Sequence, residues 1–400
     1  MIKKAMQILT WAQIPVLIVL INTFTWYSLI YSFLPSYVES INMPYFWKIT
    51  TLTLFFLGIA GSALLGSILH APLIKNFLFY WISAGAILTA SLNQVETFFP
   101  ICAFIIPLLL GVSIGLGFPL ILALFAENTG IEKRGMFGGL IWAMTGFFIL
   151  LIAIVIDTFS AHSKILVLVL WRILGLISPI MLKNKDRPHI ASSLPSSIKE
   201  KRVLLYLLPW LMFCLVNWTE APLVEYLFGQ QFYITTIFFQ FLLVGVFAFL
   251  GGVFSDKFGR KRIITVGFIF LGIEYALLSL FPSLLFVWYL YIVLDSIIWG
   301  AFAAVLFMAV WGDLAENRRK ETYYLVGGLP YLLSGYLSIL IKPFVASIRI
   351  DVAFSLASFF LFLAVIPLMY APETLPEKTL KERELRGYIE KAKKIKEKFT

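Results

Sequence analysis

Charged residues are scarce in this chain of 400 residues, where they make up 14% of the sequence against 60% for hydrophobic residues. An average soluble domain carries about 25% charged residues. The chain therefore lacks the polar side chains that would cover a water-soluble protein of this size, and its mean hydropathy is +0.91. This composition excludes an ordinary soluble globular protein and points to a membrane protein.

Cysteine and histidine are also rare. Both cysteines, Cys102 and Cys214, lie within apolar runs, so no disulfide framework is available. The three histidines are far apart and form no metal-ligand spacing. Neither a nucleotide-binding loop nor a cluster of nucleophiles is present. We therefore expect no metal, no cofactor and no enzymatic activity.

Long apolar runs dominate the rest of the sequence. A helix that spans a bilayer needs about 20 apolar residues. The runs are continuous rather than alternating, which disfavours a β-barrel. Twelve candidate spans are predicted, at residues 8–34, 50–69, 77–94, 99–126, 136–156, 164–182, 203–228, 232–254, 263–281, 284–310, 323–346 and 352–371.

Basic residues are distributed unevenly between the loops. If successive loops alternate between the two sides, with the N-terminus inside, 27 of the 32 Lys and Arg residues fall on the inner side and four on the outer side. Cytoplasmic loops carry such an excess. The net charge of +10 is therefore a topology signal rather than a nucleic-acid footprint. It predicts a multi-pass protein of the cell membrane with both termini in the cytoplasm.

The sequence also repeats itself at an offset of 189 residues. Gly111 matches Gly300, and Ala126-Glu127-Asn128 matches Ala315-Glu316-Asn317. The offset equals six spans, so the two halves would insert with the same orientation. We predict two six-helix bundles at 1–182 and 203–371, a polar cytoplasmic linker at 183–202, and a basic cytoplasmic tail at 372–400.

The stretch from Gly252 to Arg262 joins two membrane-length runs and is strongly basic. It resembles the cytoplasmic-loop signature of the major facilitator superfamily of membrane transporters, a glycine followed by Asp-Arg/Lys and then by Gly-Arg-Lys/Arg. The resemblance implies an all-α membrane protein with 12 transmembrane helices in two six-helix bundles. The matching residues are Gly252, Asp256, Lys257, Gly259, Arg260 and Lys261.

The resemblance also implies a gate. Asp256 is expected at the start of the fifth helix, near residues 135–139, where the positive end of a helix stabilises a carboxylate. Arg260 is expected to pair with Glu316 or Asp313 at the inner end of the tenth helix. These contacts would form when the inner gate closes and break when it opens. The alternative is that the positive charge of the loop only enforces topology.

The corresponding stretch of the first half departs from the signature. Within residues 66–72, His70 stands where Asp256 stands in the second half. Gating is therefore expected to rely on the second half. The departure also leaves open a membrane sensor or receptor that kept the transporter fold without turnover.

Four ionisable residues fall inside the apolar runs: Asp295 near the middle of the tenth, Glu220 in the seventh, Arg172 in the sixth and Glu274 in the ninth. Charges at membrane depth are costly and mark function by default. In the resembled family the first, fourth, seventh and tenth helices line the central cavity. Asp295 and Glu220 are thus expected to face the cavity, whereas Arg172 and Glu274 should turn inward from outer helices.

Three acids against one base would leave this interior acidic. Burial favours the neutral form of a carboxyl, which suits proton uptake and release, with Asp295 as the main candidate. The same acidity suits a cationic solute. A structural role is the alternative, and Glu220 with Glu225 could meet Lys342 as an extracellular clasp.

Few other polar groups lie on the expected cavity helices. Asn22 and Trp26 are on the first run, Asn217 and Trp218 on the seventh, and Trp299 is one turn after the aspartate of the tenth. Such a set suits a site that stacks a ring and hydrogen-bonds its substituents. With aromatic residues at 16% of the chain, packing is the alternative role for each tryptophan.

The predicted function is secondary active transport of a small organic solute by alternating access, with proton-coupled symport as one mode. An efflux antiporter stays an alternative, although the fifth run lacks the Gly-Pro-x-x-Gly-Gly pattern of drug-expelling relatives. The tail begins with Pro372-Glu373-Thr374, which resembles the segment after the last helix of sugar porters. Expected partners are the solute, membrane lipid and protons, without nucleic acid, and the protein is expected to be a monomer.

Overall fold

The computed structural model describes residues 10–68, 74–95, 98–156, 158–182, 200–315 and 318–376, and then residues 379, 381, 382, 385 and 389. Most of the predicted linker and of the predicted tail lies outside these residues. Glu316 and His70, both named in the sequence predictions, also lie outside them.

The first half contains six helical segments. Each forms because a continuous apolar run satisfies its backbone hydrogen bonds internally, as a bilayer requires. Their bounds are Ile14–Ser40 (α1), Tyr45–Ile68 (α2), Ile74–Ser91 (α3), Ile101–Asn128 (α4), Arg134–Ile156 (α5) and Ala161–Met181 (α6), the last interrupted at Gly175.

The second half repeats this arrangement. Its tenth helix contains a π-helical segment at Ala303–Ala309, and its twelfth is interrupted at Ala364. The bounds are Lys201–Phe228 (α7), Gln230–Phe258 (α8), Arg260–Leu280 (α9), Leu285–Leu314 (α10), Lys320–Ile341 (α11) and Ile350–Tyr370 (α12).

The prediction of an all-α membrane protein is confirmed. Within the described residues, 11 helices are long and apolar enough to cross a membrane. The remaining segment, α3, is a helix of 18 residues whose first turn contains Lys75 and Asn76, which lower its hydropathy. Several predicted ends were wrong. α1 extends to Ser40 rather than residue 34, and α2 begins at Tyr45 rather than residue 50. α8 continues to Phe258 rather than residue 254, and α10 to Leu314 rather than residue 310.

The internal repeat has a counterpart in helix packing. In the first half α2 packs along α4, and in the second half α8 packs along α10. Gly111 of α4 lies against the backbone of Phe55, and Gly300 of α10 lies against the backbone of Val244 and Ala248. The matched glycines thus permit the same close helix approach in both halves.

Several helix pairs join the halves. α2 and α4 pack against α11, and α5 packs against α8 and the π-helical segment of α10. At one end of the α5–α8 pair the backbones approach so closely that a side chain at Gly252 would collide with the carbonyl of Gly135. We call the end of the molecule that carries Gly135, Gly252 and Pro372 the signature end.

Candidate functional site: a gate and two buried charge clusters

Asp256 joins the two halves at the signature end. It lies in the last turn of α8, and its Oδ1 and Oδ2 accept hydrogen bonds from the backbone N–H groups of Gly135 (3.0 Å) and Met136 (2.7 Å). These N–H groups begin α5, where the helix dipole favours a carboxylate by about 0.3–1 kcal/mol or more when partly buried. The contact expected for Asp256 is therefore present, whereas its gating role stays a prediction.

A buried ion-pair network lies beside this contact. Asp313 of α10 accepts hydrogen bonds from Arg134 through Oδ1 and from Arg260 through Oδ2. Arg260 also reaches Asp256, with 3.3 Å between Nη2 and Oδ1. The side chains of Arg260 and Asp313 are fully buried, and Arg134 is nearly so. Because Arg134 belongs to the first half, the network bridges the two halves.

The segment after α12 completes the network. The Glu373 carboxylate accepts hydrogen bonds from the backbone N–H groups of Arg260 (2.9 Å) and Lys261 (3.1 Å), the first residues of α9. The Thr374 hydroxyl donates to Oδ2 of Asp313 at 3.1 Å. The Pro-Glu-Thr segment thus caps one helix and contacts the aspartate that both arginines share.

The signature stretch is not a loop, contrary to the sequence prediction. Asp256 and Lys257 belong to α8, Arg260 already begins α9, and only Gly259 lies between the two helices. Gly259 has a φ of 99°, which a residue with a side chain rarely adopts. This single-residue junction holds Asp256 and Arg260 one turn apart, so that both reach the other half.

The three intramembrane acids lie together inside the second half. Glu220 of α7, Glu274 of α9 and Asp295 of α10 are 8%, 1% and 6% exposed. Glu220 interacts electrostatically with Asp295, and Glu274 interacts with both. The Tyr291 hydroxyl donates a hydrogen bond to Oε1 of Glu220. We call these three carboxyls the acid cluster.

Much of the hydrogen-bonding capacity of the acid cluster is unused. Oε2 of Glu220, both oxygens of Glu274 and Oδ1 of Asp295 are buried without a partner among the described residues. Among the described residues, no group of carboxylates, histidines or cysteines is suited to a metal ion. Burial disfavours the charged form of each carboxyl, and the negative charges would also repel one another. Protons or an organic cation would have to neutralise them.

Arg172 lies in the other half from these acids. Its side chain is fully buried, and its guanidinium carbon lies 4.3 Å from the ring centroid of Trp26 and 4.4 Å from that of Trp81. Its Nη1 donates to Asn22 Oδ1 (3.2 Å) and Thr23 Oγ1 (3.0 Å). Each desolvated cation–π contact contributes about 2 kcal/mol. Arg172 thus turns inward from an outer helix, as expected, and it lies apart from the acid cluster of the second half.

Asn22 and Trp26 contact Arg172, and we call Arg172 with these neighbours the arginine site. Nδ2 of Asn22 donates to the carbonyl of Trp171 at 2.5 Å, and the Trp171 indole donates back to the carbonyl of Asn22 at 3.0 Å. The Trp26 indole donates to Thr89 Oγ1 at 3.1 Å. All of these hydrogen bonds stay within the first half. These contacts turn Asn22 and Trp26 toward α3 and α6, and the cavity that they were expected to share with the polar residues of α7 stays a prediction.

The other predicted cavity residues lie near the boundary between the halves. Trp299 donates its indole N–H to Oδ1 of Asn217 at 2.5 Å. Trp218 packs edge-on against Tyr31 of the first half, with 5.3 Å between ring centroids. Trp299 in turn lies 5.9 Å from Tyr331, again measured between ring centroids. These contacts join α7, α10 and α11 to α1.

Aromatic rings fill the centre between the halves. Phe307, in the π-helical segment of α10, lies 5.9 Å from Phe24, 5.7 Å from Trp142 and 4.9 Å from Tyr331, measured between ring centroids. The indole N–H groups of Trp142 and Trp218 are buried without a hydrogen-bond partner in the described part of the chain. The centre can therefore stack a ring and offer hydrogen-bond donors.

The sequence and the fold were compared with those of known proteins. No protein-family model matches the sequence. No curated protein matches it either. The structure of the human organic anion transporter MFSD10 (TETRAN) is similar, with a TM-score of 0.68 over 90% of this chain and 99% of that chain at 15% identity. The proton:xylose symporter XylE gives a TM-score of 0.66 over 94% of this chain and 98% of its own at 15% identity. FucP, an E. coli fucose:proton symporter, gives 0.68 over 90% and 99% at 12% identity.

The chain has the major facilitator fold. In this fold two parallel six-helix repeats flank a central binding region. The carboxylates of Asp256 and Asp313 therefore bridge the two repeats at one end of the molecule. Thr53 of α2 and Tyr336 of α11 bridge them nearer the other end, with 2.5 Å between their hydroxyl oxygens.

The extracellular clasp predicted around Lys342 differs from its expected composition. Lys342 Nζ lies 3.0 Å and 3.1 Å from the two carboxylate oxygens of Glu225. Glu220 takes no part in this pair and bonds to Tyr291 instead. The clasp that was expected to include Glu220 and Glu225 therefore contains only Glu225.

Sequence reasoning missed Arg134, Tyr291 and Trp142. Arg134 follows Lys133 at the start of α5, where it counted only as topological charge. Tyr291 precedes Asp295 by one turn, so a search for polar residues at helical spacing around Asp295 would have found it. Trp142 had no distinguishing signal in so aromatic a sequence.

Proposed function

We propose that this protein is a secondary transporter that moves a small organic solute across the cell membrane by alternating access. One observation carries the proposal: the buried polar contacts of the signature end are divided along the boundary between the halves. Arg134 and the first N–H groups of α5 stand on one side, and Asp256 and Asp313 stand on the other. Such a network can break as a unit when one half rotates against the other.

The distribution of basic residues supports a cytoplasmic signature end. Both termini and the linker would then lie in the cytoplasm, with lipid around the bundle and one chain as the working unit. Because contacts bridge the halves both at this end and at Thr53–Tyr336, the conformation corresponds to an occluded state. Opening the signature end would release the solute into the cytoplasm.

Proton coupling is the coupling mode that the acid cluster supports. Glu220 and Asp295 lie on helices next to the centre, and Glu274 lies behind them on α9. A proton bound to this cluster in one conformation and released in the other would link the proton gradient to solute movement. XylE and FucP are described as proton symporters, which supports the same mode.

The aromatic centre between the halves suggests the chemical class of the solute. Trp142, Trp299 and Tyr331 provide ring faces, and Asn217 with the free indole N–H groups provides hydrogen bonds. A small solute with a ring or a flat apolar face and a few polar substituents fits this set. Paired cavity arginines that would clamp a phosphate are lacking in the described residues.

Counterflow in proteoliposomes tests the proposal. Vesicles preloaded with candidate sugars, amino acids, carboxylates or amphipathic cations should take up the same labelled solute transiently. Ligand binding without counterflow for any member of the panel would instead indicate a sensor. An inward proton gradient should drive accumulation, whereas accumulation driven by the opposite gradient would indicate an efflux antiporter.

Replacing Asp295 by asparagine should separate coupling from exchange. The variant keeps the shape of the side chain but cannot bind and release a proton, so gradient-driven accumulation should be lost while counterflow is retained. The matched control is Asp351→Asn, which removes an exposed carboxylate at the end of the molecule opposite the signature end. Full accumulation by the Asp295 variant would rule out proton coupling at this position.

A further inference from the structure

The arginine site of the first half contains more hydrogen-bond donors than it uses. Arg172 belongs to α6 and contacts α1 and α3. Among the described residues, only its Nη1 donates hydrogen bonds, namely to Asn22 and Thr23. Its Nε and Nη2 are buried without a partner in the described part of the chain. No carboxylate of the described residues forms an ion pair with it. Among the described residues, this fully buried cation therefore has no counter-charge.

The unused donors share one edge of the guanidinium. Nε–H and the nearer N–H of Nη2 point in the same direction within the guanidinium plane, which is the fork that binds a carboxylate through two parallel hydrogen bonds. The guanidinium carbon lies over the rings of Trp26 and Trp81, 4.3 Å and 4.4 Å from their centroids. The unused edge is the part of the guanidinium that offers hydrogen bonds to a ligand.

A third donor faces the same place. The hydroxyl of Ser113 on α4 is also buried without a partner among the described residues. Both it and Arg172 border Gly85 of α3: a methyl group at Gly85 would lie 3.0 Å from Arg172 Nε and 3.3 Å from Ser113 Oγ. The backbone of Gly85, which carries no side chain, therefore borders both donors.

We propose that Arg172 and Ser113 form a carboxylate-binding site in the first half, with the Nε/Nη2 fork holding both oxygens of the carboxylate and the Ser113 hydroxyl donating to one of them. A flat carboxylate supplies one oxygen for each N–H group of the fork, whereas both N–H groups would have to share a single spherical halide. The carboxylate has two sources, the transported solute itself or a small resident ion. The binding claim stands without the proposed transport function, and only the choice of source depends on it.

Acetate binding to the purified full-length protein tests the site. Thermal stability should rise saturably with acetate, because a ligand of the folded state stabilises it. Equal concentrations of chloride, and of the neutral isostere acetamide, should leave it unchanged. No acetate response, or an equal response to chloride, would overturn the proposal.

Variants locate the binding. Arg172→Gln and Arg172→Lys should both lose the acetate response, since a lysine lacks the planar fork. Arg349→Gln, which removes an exposed arginine outside the spans, should keep it. Ser113→Ala should weaken acetate binding about tenfold, as expected for one hydrogen bond to a charged group. An unchanged response in Arg172→Gln would refute the assignment.

Gly85→Ala provides a variant that keeps the arginine if the Arg172 variants do not fold. Its methyl group occupies the space in front of Nε and Ser113 Oγ, so the acetate response should disappear while the protein remains folded. A wild-type response in Gly85→Ala would contradict the proposed position of the carboxylate.

Exchange of labelled acetate across proteoliposomes identifies the source. Exchange that is lost in Ser113→Ala and Arg172→Lys assigns the carboxylate to the transported solute. Binding without exchange assigns it to a resident ion, and both results support the site. Failure of the transport proposal would abolish exchange but not acetate binding, which keeps the two tests separate.

Discussion

Replacing Asp313 by asparagine should open the signature end. The aspartate lies between two buried arginines from opposite halves, and Thr374 donates a further hydrogen bond to it. Asparagine keeps the shape, but its single carbonyl oxygen can accept from only one of the two arginines, and its NH2 group, which cannot accept, faces the other. The lost hydrogen bond and the weakened one should together cost the closed state about 2–4 kcal/mol. This corresponds to a shift of about 30-fold to 1,000-fold toward the open state.

The assay is a distance measurement between spin labels at the signature end. Lys133 and Arg262 are exposed residues on opposite halves, and each can carry a label through a cysteine. The two native cysteines, Cys102 and Cys214, are replaced beforehand. In the unsubstituted background the distribution should be dominated by the short distance of the closed end. Asp313→Asn should move most of the population to longer distances.

The matched control is Asp351→Asn, which removes a carboxylate from an exposed pair with Arg349. It should leave the distance distribution unchanged. If Asp313→Asn folds and its distribution equals that of the control, the ion-pair network does not hold the halves together. The gating argument would then be refuted, whatever the transport activity.

Three further perturbations test neighbouring parts of the argument. Gly135→Val should lower stability by about 1–3 kcal/mol and widen the signature end. Its Cβ would lie 2.5 Å from Ser255 Oγ and 2.7 Å from the carbonyl oxygen of Gly252. The control Gly61→Val, with no atom within 4 Å of its Cβ, should alter neither the melting temperature nor the label distance. Glu373→Gln should lower stability by about 1 kcal/mol in denaturant unfolding, since a charged cap leaves the start of α9, and an unchanged midpoint would contradict this role. Lys342→Gln should shift the melting temperature little, because the pair with Glu225 is exposed and contributes about 0–1 kcal/mol; a large loss would show that this clasp matters.

The sequence by itself determined the helical fold and the approximate positions of the helices. These follow from local properties: the length of an apolar run fixes whether it crosses a bilayer, and the lipid forces its backbone to form a helix. The repeat at Gly111 and Gly300 further indicated two similar halves, and both glycines lie at equivalent helix contacts. The signature residues also led correctly to the start of α5, since a short motif between two spans has few places to reach.

Only the tertiary structure decided which buried charges meet. Asn22 and Trp26 were expected beside the polar residues of α7, yet they hold Arg172 in the first half, while Glu220, Glu274 and Asp295 meet in the second. The rotation of each helix about its own axis determines these partners, and it is set by packing against all neighbours at once. In a sequence so uniformly apolar, hydrophobic periodicity carries little information about that rotation. The pairing of Arg134 with Asp313 likewise joins residues 179 positions apart, which no local pattern specifies.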